Sequence, residues 1–512
     1  TAHNVYYVKL NININSPNPI PINHTKMNEK SFWSGKTFDD FLFRPQKGIT
    51  DSRRNINLVS KLTNTIPIEL PIVSSNMDSV TGADMARAMA LDGGLGVVHR
   101  AMSIERQARK IAEVKRSQSA VIENPLCLPI DATIRQAKNF ANKNNITGIL
   151  IESETGSGIL VGLLSGRDIP WNNNVNDDVV SQYMTPVDKL ITEKPGISTD
   201  EAAAILFDKR LERLPLVDAE RRIHGLITRK DILSLRERPD ASKDEKGHLL
   251  VGAAIGAHGD YLERAGALLD AGADSLFIDI AHGHSSVMET AVSNVRKQFN
   301  DVSLVCGNIA TGEGAQFMKD IGADAIKVGV GPGRGCRTRL ETAAGVPQLQ
   351  AIREAYETIG DSIPIMADGG IKTDKDIFLA LICGASTVML GSALSGTDEA
   401  PGQIIEDPVT NTKKKIYRGM TSPQAVLGSL YESENGDEID TALDTPSEGQ
   451  EIQMPYKGSV VDILHRIRGH LQSSVSYAGE ISLTAAREKI LSDPERYLIS
   501  LSESSRQESF DR

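Results

Sequence analysis

The chain predicts an α/β protein built on a (β/α)8 barrel, with a smaller α/β pair inserted into it. Three observations carry this. From about residue 250 onward, short apolar segments alternate with segments of helical spacing, and such alternation implies a parallel sheet with crossover helices. Two upstream segments, 72–75 and 95–99, read as strands of the same kind. Residues 121–235 break the pattern with an internal repeat. The downstream spacing predicts strands at 275–280, 303–306, 325–328, 363–367 and 387–390, and helices over 285–298 and 312–321. About eight such units close a barrel, and the polar, glycine-rich residues after each strand fall where barrels of this kind place their sites.

In the repeat, Gly162-Leu163-Leu164-Ser165-Gly166-Arg167-Asp168-Ile169 recurs as Gly225-Leu226-Ile227-Thr228-Arg229-Lys230-Asp231-Ile232, 63 residues on. An apolar strand precedes each copy, at 147–151 and 214–217, which suits two small units packed face to face. They resemble a tandem CBS (Bateman) pair. That resemblance implies an adenine or guanine nucleotide effector, with Asp168 and Asp231 on its ribose. The expected organisation is an N-terminal extension at 1–26, low in complexity and rich in proline, a catalytic barrel at 27–120 and 236–495, the inserted pair at 121–235, and a C-terminal tail at 496–512.

The 512 residues suffice for two or three domains with a sizeable core. A formal charge of −11 argues against a DNA-binding footprint, which would be basic. Cysteines 127, 306, 336 and 383 form no CxxC pair and no metal-ligand spacing, so a reduced, cytoplasmic setting is expected. No apolar run is long enough to span a membrane.

The densest signal is Gly329-Val330-Gly331-Pro332-Gly333-Arg334-Gly335-Cys336-Arg337-Thr338-Arg339, directly after the strand at 325–328. Four glycines in seven residues permit tight turns and close approach to a ligand. The arginines at 334, 337 and 339 flank a thiol whose reactive form is the anion. Asp368-Gly369-Gly370 and Gly391-Ser392 each follow a later strand. Their amides and the Ser392 hydroxyl suit a phosphate, and Asp368 suits ribose hydroxyls.

The cysteine loop, Gly345-Val346-Pro347-Gln348, Ser74-Ser75-Asn76-Met77-Asp78, Tyr417-Arg418-Gly419-Met420 and Glu448-Gly449 are together similar to the IMP dehydrogenase/GMP reductase family. The resemblance implies that Cys336 attacks C2 of a purine nucleotide while hydride passes to or from a nicotinamide. It places Asp368, Gly370, Gly391 and Ser392 on ribose and phosphate, and Ser75, Met77, Tyr417, Gly419, Met420, Glu448 and Gly449 around the ribose and base. Asp279 and Asn308 would meet the dinucleotide, and a monovalent cation such as K+ would sit near Gly331 and Gly333. Arg334 stands where the family carries a phosphate-binding serine, and would hold the phosphate through its guanidinium.

A dehydrogenase must activate water, and similar dehydrogenases use an Arg-Tyr pair on a flap. Here the matching residues are Leu430-Tyr431, and leucine cannot relay a proton. A reductase instead expels ammonia with a Thr and a Glu that match Thr338 and Glu448. The expectation is therefore a GMP reductase using NADPH. The alternatives are an IMP dehydrogenase using NAD and a non-catalytic nucleotide-binding regulator. The resemblance further implies a homotetramer or octamer.

Overall fold

The computed structural model describes all residues except 1–31, 118–120, 123–124, 145, 170–174, 231, 234–237, 424, 426–445 and 511–512. The N-terminal extension, Asp231, Leu430 and Tyr431 thus lie outside the described residues. Eight parallel strands close a barrel: β1 (Ile72–Ser74), β2 (Leu95–Val98), β3 (Val251–Ile255), β4 (Ser275–Asp279), β5 (Ser303–Ile309), β6 (Ala325–Val328), β7 (Ile365–Asp368) and β8 (Thr387–Leu390). Closure is by β8 on β1, with Leu390 opposite Ser74. β3 had no counterpart among the expected strands, because Gly252-Ala253-Ala254 lacks branched residues. Burial and its neighbours β2 and β4 hold it in register.

Alternate residues point into the barrel. Val73, Val97, Ala254, Phe277, Val305, Ala325, Met366 and Met389 fill the interior, and Gly252 leaves room for the Phe277 ring, which lies 2.7 Å from where a Cβ would be. Two residues further along their strands, the same alternation turns Asp279, Lys327 and Asp368 inward. A polar layer therefore rests on an apolar plug.

The helix Ile104–Ser117 ends where the insertion begins. Its strands Cys127–Pro129, Gly148–Glu152, Leu160–Ser165 and Thr185–Pro186 form one sheet, and Arg213–Val217 pairs with Ile223–Thr228 in another. The two units meet through Leu150, Leu160, Val217 and Leu226. The chain returns to the barrel ahead of β3, so the insertion occupies a helix-to-strand connection, whereas the strand-to-helix connections build the site. Of the expected tail, the described residues 496–510 join the fold. Leu498–Ser500 pairs antiparallel with Phe41–Phe43, and Leu498 and Leu501 are buried there. Among the described residues, no helix is long and apolar enough to cross a membrane.

Lys115, near the end of Ile104–Ser117, fastens both ends of the insertion. Its Nζ donates to Asp274 Oδ1 and Oδ2, each at 2.9 Å, to Asp244 Oδ2 at 3.0 Å and to the Leu249 carbonyl at 3.1 Å. Lys115→Met strands two partly buried carboxylates and is expected to cost about 2–4 kcal/mol, near the range for broken buried pairs. Chemical denaturation checks this, and an unchanged midpoint would contradict it.

Candidate active site

The loop between β6 and the short helix Thr338–Thr342 is held from two sides. On one side, a Cβ at Gly329 would lie 1.9 Å from the Asp368 carbonyl oxygen, so only glycine fits. Gln348 Nε2 ties the ends of β6 and β7 by donating to the Val328 carbonyl at 2.7 Å and the Asp368 carbonyl at 3.1 Å. Arg339 Nε donates to the Val330 carbonyl at 3.1 Å. On the other side, residues 448–450 zip onto the loop: Arg337 N donates to the Glu448 carbonyl at 2.6 Å, and Gln450 N to the Gly335 carbonyl at 3.0 Å. Gly449 pairs with Cys336 and has no room for a side chain against Ser422.

This clasp brings the thiol to its partners. Cys336 Sγ lies 3.1 Å from Thr338 Oγ1, and the Thr338 hydroxyl donates to Glu448 Oε2 at 2.6 Å. A continuous hydrogen-bonded path thus runs from sulfur to carboxylate. The arginines contribute differently from the sequence expectation. Arg337 pairs with Glu341 at 2.6 Å and Arg339 braces the loop backbone, which leaves Arg334 as the exposed cation of the three.

Every expected catalytic, substrate-side and dinucleotide-side residue except Gly449 lines one cavity of about 1020 Å³. At its floor, Lys327 Nζ lies 2.8 Å from both Asp279 Oδ1 and Asp368 Oδ2. Asn76 Nδ2 donates to Asp279 Oδ2 at 2.6 Å, and Asn308 Nδ2 to Asp368 Oδ2 at 2.9 Å. Burial alone would raise the Asp279 carboxyl, but Lys327 and Asn76 hold it below its ordinary value. Tyr417 is buried against Gly391, and burial, then Asp368, pushes its phenol up. Met420 and Met77 come from facing segments, with Asp78 N donating to Met420 Sδ at 3.5 Å. The Arg418–Asp78 ion pair, at 2.5 Å, holds those segments together.

Gly370, Gly391, Ser392 and Arg334 line the same cavity, with a residue that sequence reasoning missed. Lys457 Nζ donates to the carbonyls of Ser392 (2.7 Å) and Ala393 (2.9 Å), and no carboxylate among the described residues pairs with it. Burial first, then Arg334 and Arg466, push this ammonium down to about 8. The only local signal was a lysine between Tyr456 and Gly458. Lys327 was also missed, although its place two residues after the inward Ala325 predicts an inward lysine.

His282 and His284, which follow Asp279 in the same loop, are exposed outside the cavity, where the His284 ring packs on Phe317. The described residues hold no cluster of three metal-binding side chains. In the insertion, Asp168 Oδ2 closes its own turn by accepting from Ser165 N (2.8 Å) and Ser165 Oγ (2.7 Å).

The family profile described as "IMP dehydrogenase / GMP reductase domain" matches residues 35–510. Inosine-5'-monophosphate dehydrogenase of Nitrosopumilus maritimus is 44% identical over 451 residues, covering 88% of this chain and 93% of the relative. The enzyme of the same name from Aquifex aeolicus is 40% identical over 463 residues, covering 90% and 93%. A crystal structure of a Trypanosoma brucei GMP reductase variant in complex with guanosine 5'-monophosphate superposes with a TM-score of 0.84 at 35% identity, over 93% of this chain and 97% of that one. Another, of the T. brucei enzyme in complex with guanosine 5'-triphosphate, gives 0.74 at 33% identity, over 92% and 98%.

Burial pushes the Cys306 thiol far up and the Cys383 thiol up to about 12, and burial, then Glu152, raises Cys127 to about 11. Iodoacetamide near neutral pH is therefore expected to label Cys336 at least about tenfold faster than the other three. Peptide mass spectrometry reads this out, and comparable labelling of Cys127 would contradict it.

Proposed function

The chain belongs to the IMP dehydrogenase/GMP reductase family of nicotinamide-dependent purine-nucleotide oxidoreductases, and from that premise we propose that it is a GMP reductase, converting GMP, NADPH and two protons to IMP, ammonium and NADP+. The observation that carries this reading is the path Cys336–Thr338–Glu448. It gives the thiol proton a route to a carboxylate, and gives that carboxylate a proton to return to a leaving amine. The thiolate of Cys336 attacks C2 of the guanine. Glu448, through Thr338, protonates the departing 2-amino group, and ammonia leaves from the covalent adduct. A bound nicotinamide supplies the hydride to C2. The C2–S bond then breaks, IMP is released and the thiolate is restored.

The residues present fit a dinucleotide beside the nucleotide. Asn308 Oδ1 lines the cavity, buried and without a partner, and Asp279 and Arg100 lie on the same side as acceptor and cation. Asp368 would take the ribose hydroxyls of GMP; Gly370, Gly391, Ser392, Arg334 and Lys457 would take its phosphate; Ser75, Met77 and Met420 would pack on its ribose and base. The dehydrogenase reading, IMP with NAD giving XMP, draws on the names of the relatives at 40–44% identity. Against it stands Leu430 in place of the arginine that would activate water. In the inserted pair, the reading assigns a guanine or adenine nucleotide to Asp168 and Asp231. The complex of the T. brucei reductase with guanosine 5'-triphosphate supports a guanine nucleotide.

A paired absorbance assay of the purified protein is decisive. Nicotinamide oxidation with GMP and NADPH is expected, and XMP formed from IMP and NAD would overturn the choice. Cys336→Ala should retain nucleotide binding and lose more than about 99% of turnover. Thr338→Val and Glu448→Gln should each cost about 10²–10⁴ in kcat, and the double variant little more than either, as for residues acting in one chain.

Lys457 adds a pH dependence. Its ammonium lies below its ordinary 10.5, at about 8, and a bound phosphate dianion raises it. Above about 8, binding must take up a proton, so GMP affinity should fall by up to about tenfold per pH unit. Lys457→Met should bind GMP more weakly and without that fall. An equal fall in the variant would place the titration elsewhere.

A further inference from the structure

Lys327 is 1% exposed, and among the described residues its Nζ partners all belong to the site: Asp279 Oδ1, Asp368 Oδ2 and, weakly, Met389 Sδ at 3.9 Å. Two carboxylates on strands β4 and β7 thus share one ammonium on β6. Both Asp279 oxygens are engaged, one by Lys327 and one by Asn76. Asp368 accepts from Lys327 and Asn308 at Oδ2 and lines the cavity. Burial would lower the lysine; the two carboxylates more than reverse that and hold it above its ordinary value.

We propose that Lys327 is a positioning residue on which the nucleotide and dinucleotide sites are both built: its one ammonium holds Asp279 and Asp368 in place together, so that a change at either carboxylate alters binding at the other. This rests on the assignment of Asp368 to the nucleotide ribose and Asp279 to the dinucleotide. Without the ammonium, two partly buried carboxylates lose the charge they share, which favours a proton on one of them. Among the described residues, Arg100 also acts on Asp279, and Tyr417, whose phenol burial and Asp368 push up, lies beside Asp368.

The test measures GMP and NADP+ binding separately by calorimetry, in a Cys336→Ala background that blocks the covalent step. Lys327→Met is expected to weaken both ligands by at least about tenfold and to make GMP affinity fall more steeply than in the parent as pH drops between about 8 and 5, beyond the fall that the GMP phosphate's own second ionisation gives both proteins. Lys327→Arg should restore most of the affinity and the parent's profile. Asp279→Asn should shift GMP affinity at least about threefold, and Asp368→Asn should shift NADP+ affinity likewise, although neither residue is assigned to that ligand. These two variants keep the test open if Lys327→Met fails to fold. Loss confined to one ligand, a pH profile in Lys327→Met no steeper than the parent's, or absent cross-effects would overturn the shared charge while leaving the functional reading in place. Failure of the parent to bind GMP at all would overturn both.

Discussion

The backbone clasp between residues 335–337 and 448–450 is the contact on which the catalytic arrangement depends. Cys336 and Thr338 come from the connection after β6, and Glu448 from a segment more than a hundred residues later. Two backbone hydrogen bonds and two side-chain bonds, from Gln450 Nε2 to the Arg334 carbonyl at 2.8 Å and from Arg337 to Gln450 Oε1 at 3.5 Å, set their spacing. Glycines at 419 and 449 let three strands of backbone approach this closely. A Cβ at Gly419 would lie 2.3 Å from the Gly335 carbonyl oxygen, and one at Gly449 2.4 Å from Ser422 N. The glycine density around the cysteine thus serves chain-on-chain contact as much as contact with a ligand.

Much of this architecture was legible in the chain. Short apolar segments between helical stretches gave seven of the eight strands to within a few residues, because parallel strands buried on both faces are continuous apolar runs. The cysteine loop was legible because only a few chemistries need so many glycines beside one thiol. What escaped depends on partners distant in sequence. β3 is a small-residue strand that neighbours and burial hold in place. Lys327 reads locally as a polar interruption of a strand, and only Asp279 and Asp368 give it a reason to be there. Lys457 gains its character from the Ser392 and Ala393 carbonyls. The thiol's arginine neighbours misled for the opposite reason. Adjacent in sequence, Arg337 and Arg339 turn to Glu341 and to the loop backbone.

The candidate site and the insertion use opposite kinds of connection. The site is assembled from segments that follow barrel strands, so the interior side chains of β4, β6 and β7 can rise into it. The insertion uses a connection that precedes a strand, and Lys115 binds its two ends to Asp274 just ahead of β4. An effect that began in the insertion would therefore reach β3 and β4 before it reached the cysteine loop, and β4 ends in Asp279.

The separation of Cys336 from Glu448 bears on how such chains are recognised and inherited. A fragment ending before residue 447 would carry the whole cysteine motif and all eight barrel strands, yet lose both Glu448 and the helix Val460–Tyr477, whose Leu464, Ile467 and Leu471 are buried in the core. The thiol and the carboxylate it reaches are separately encoded, and a recombination between them could part the one from the other.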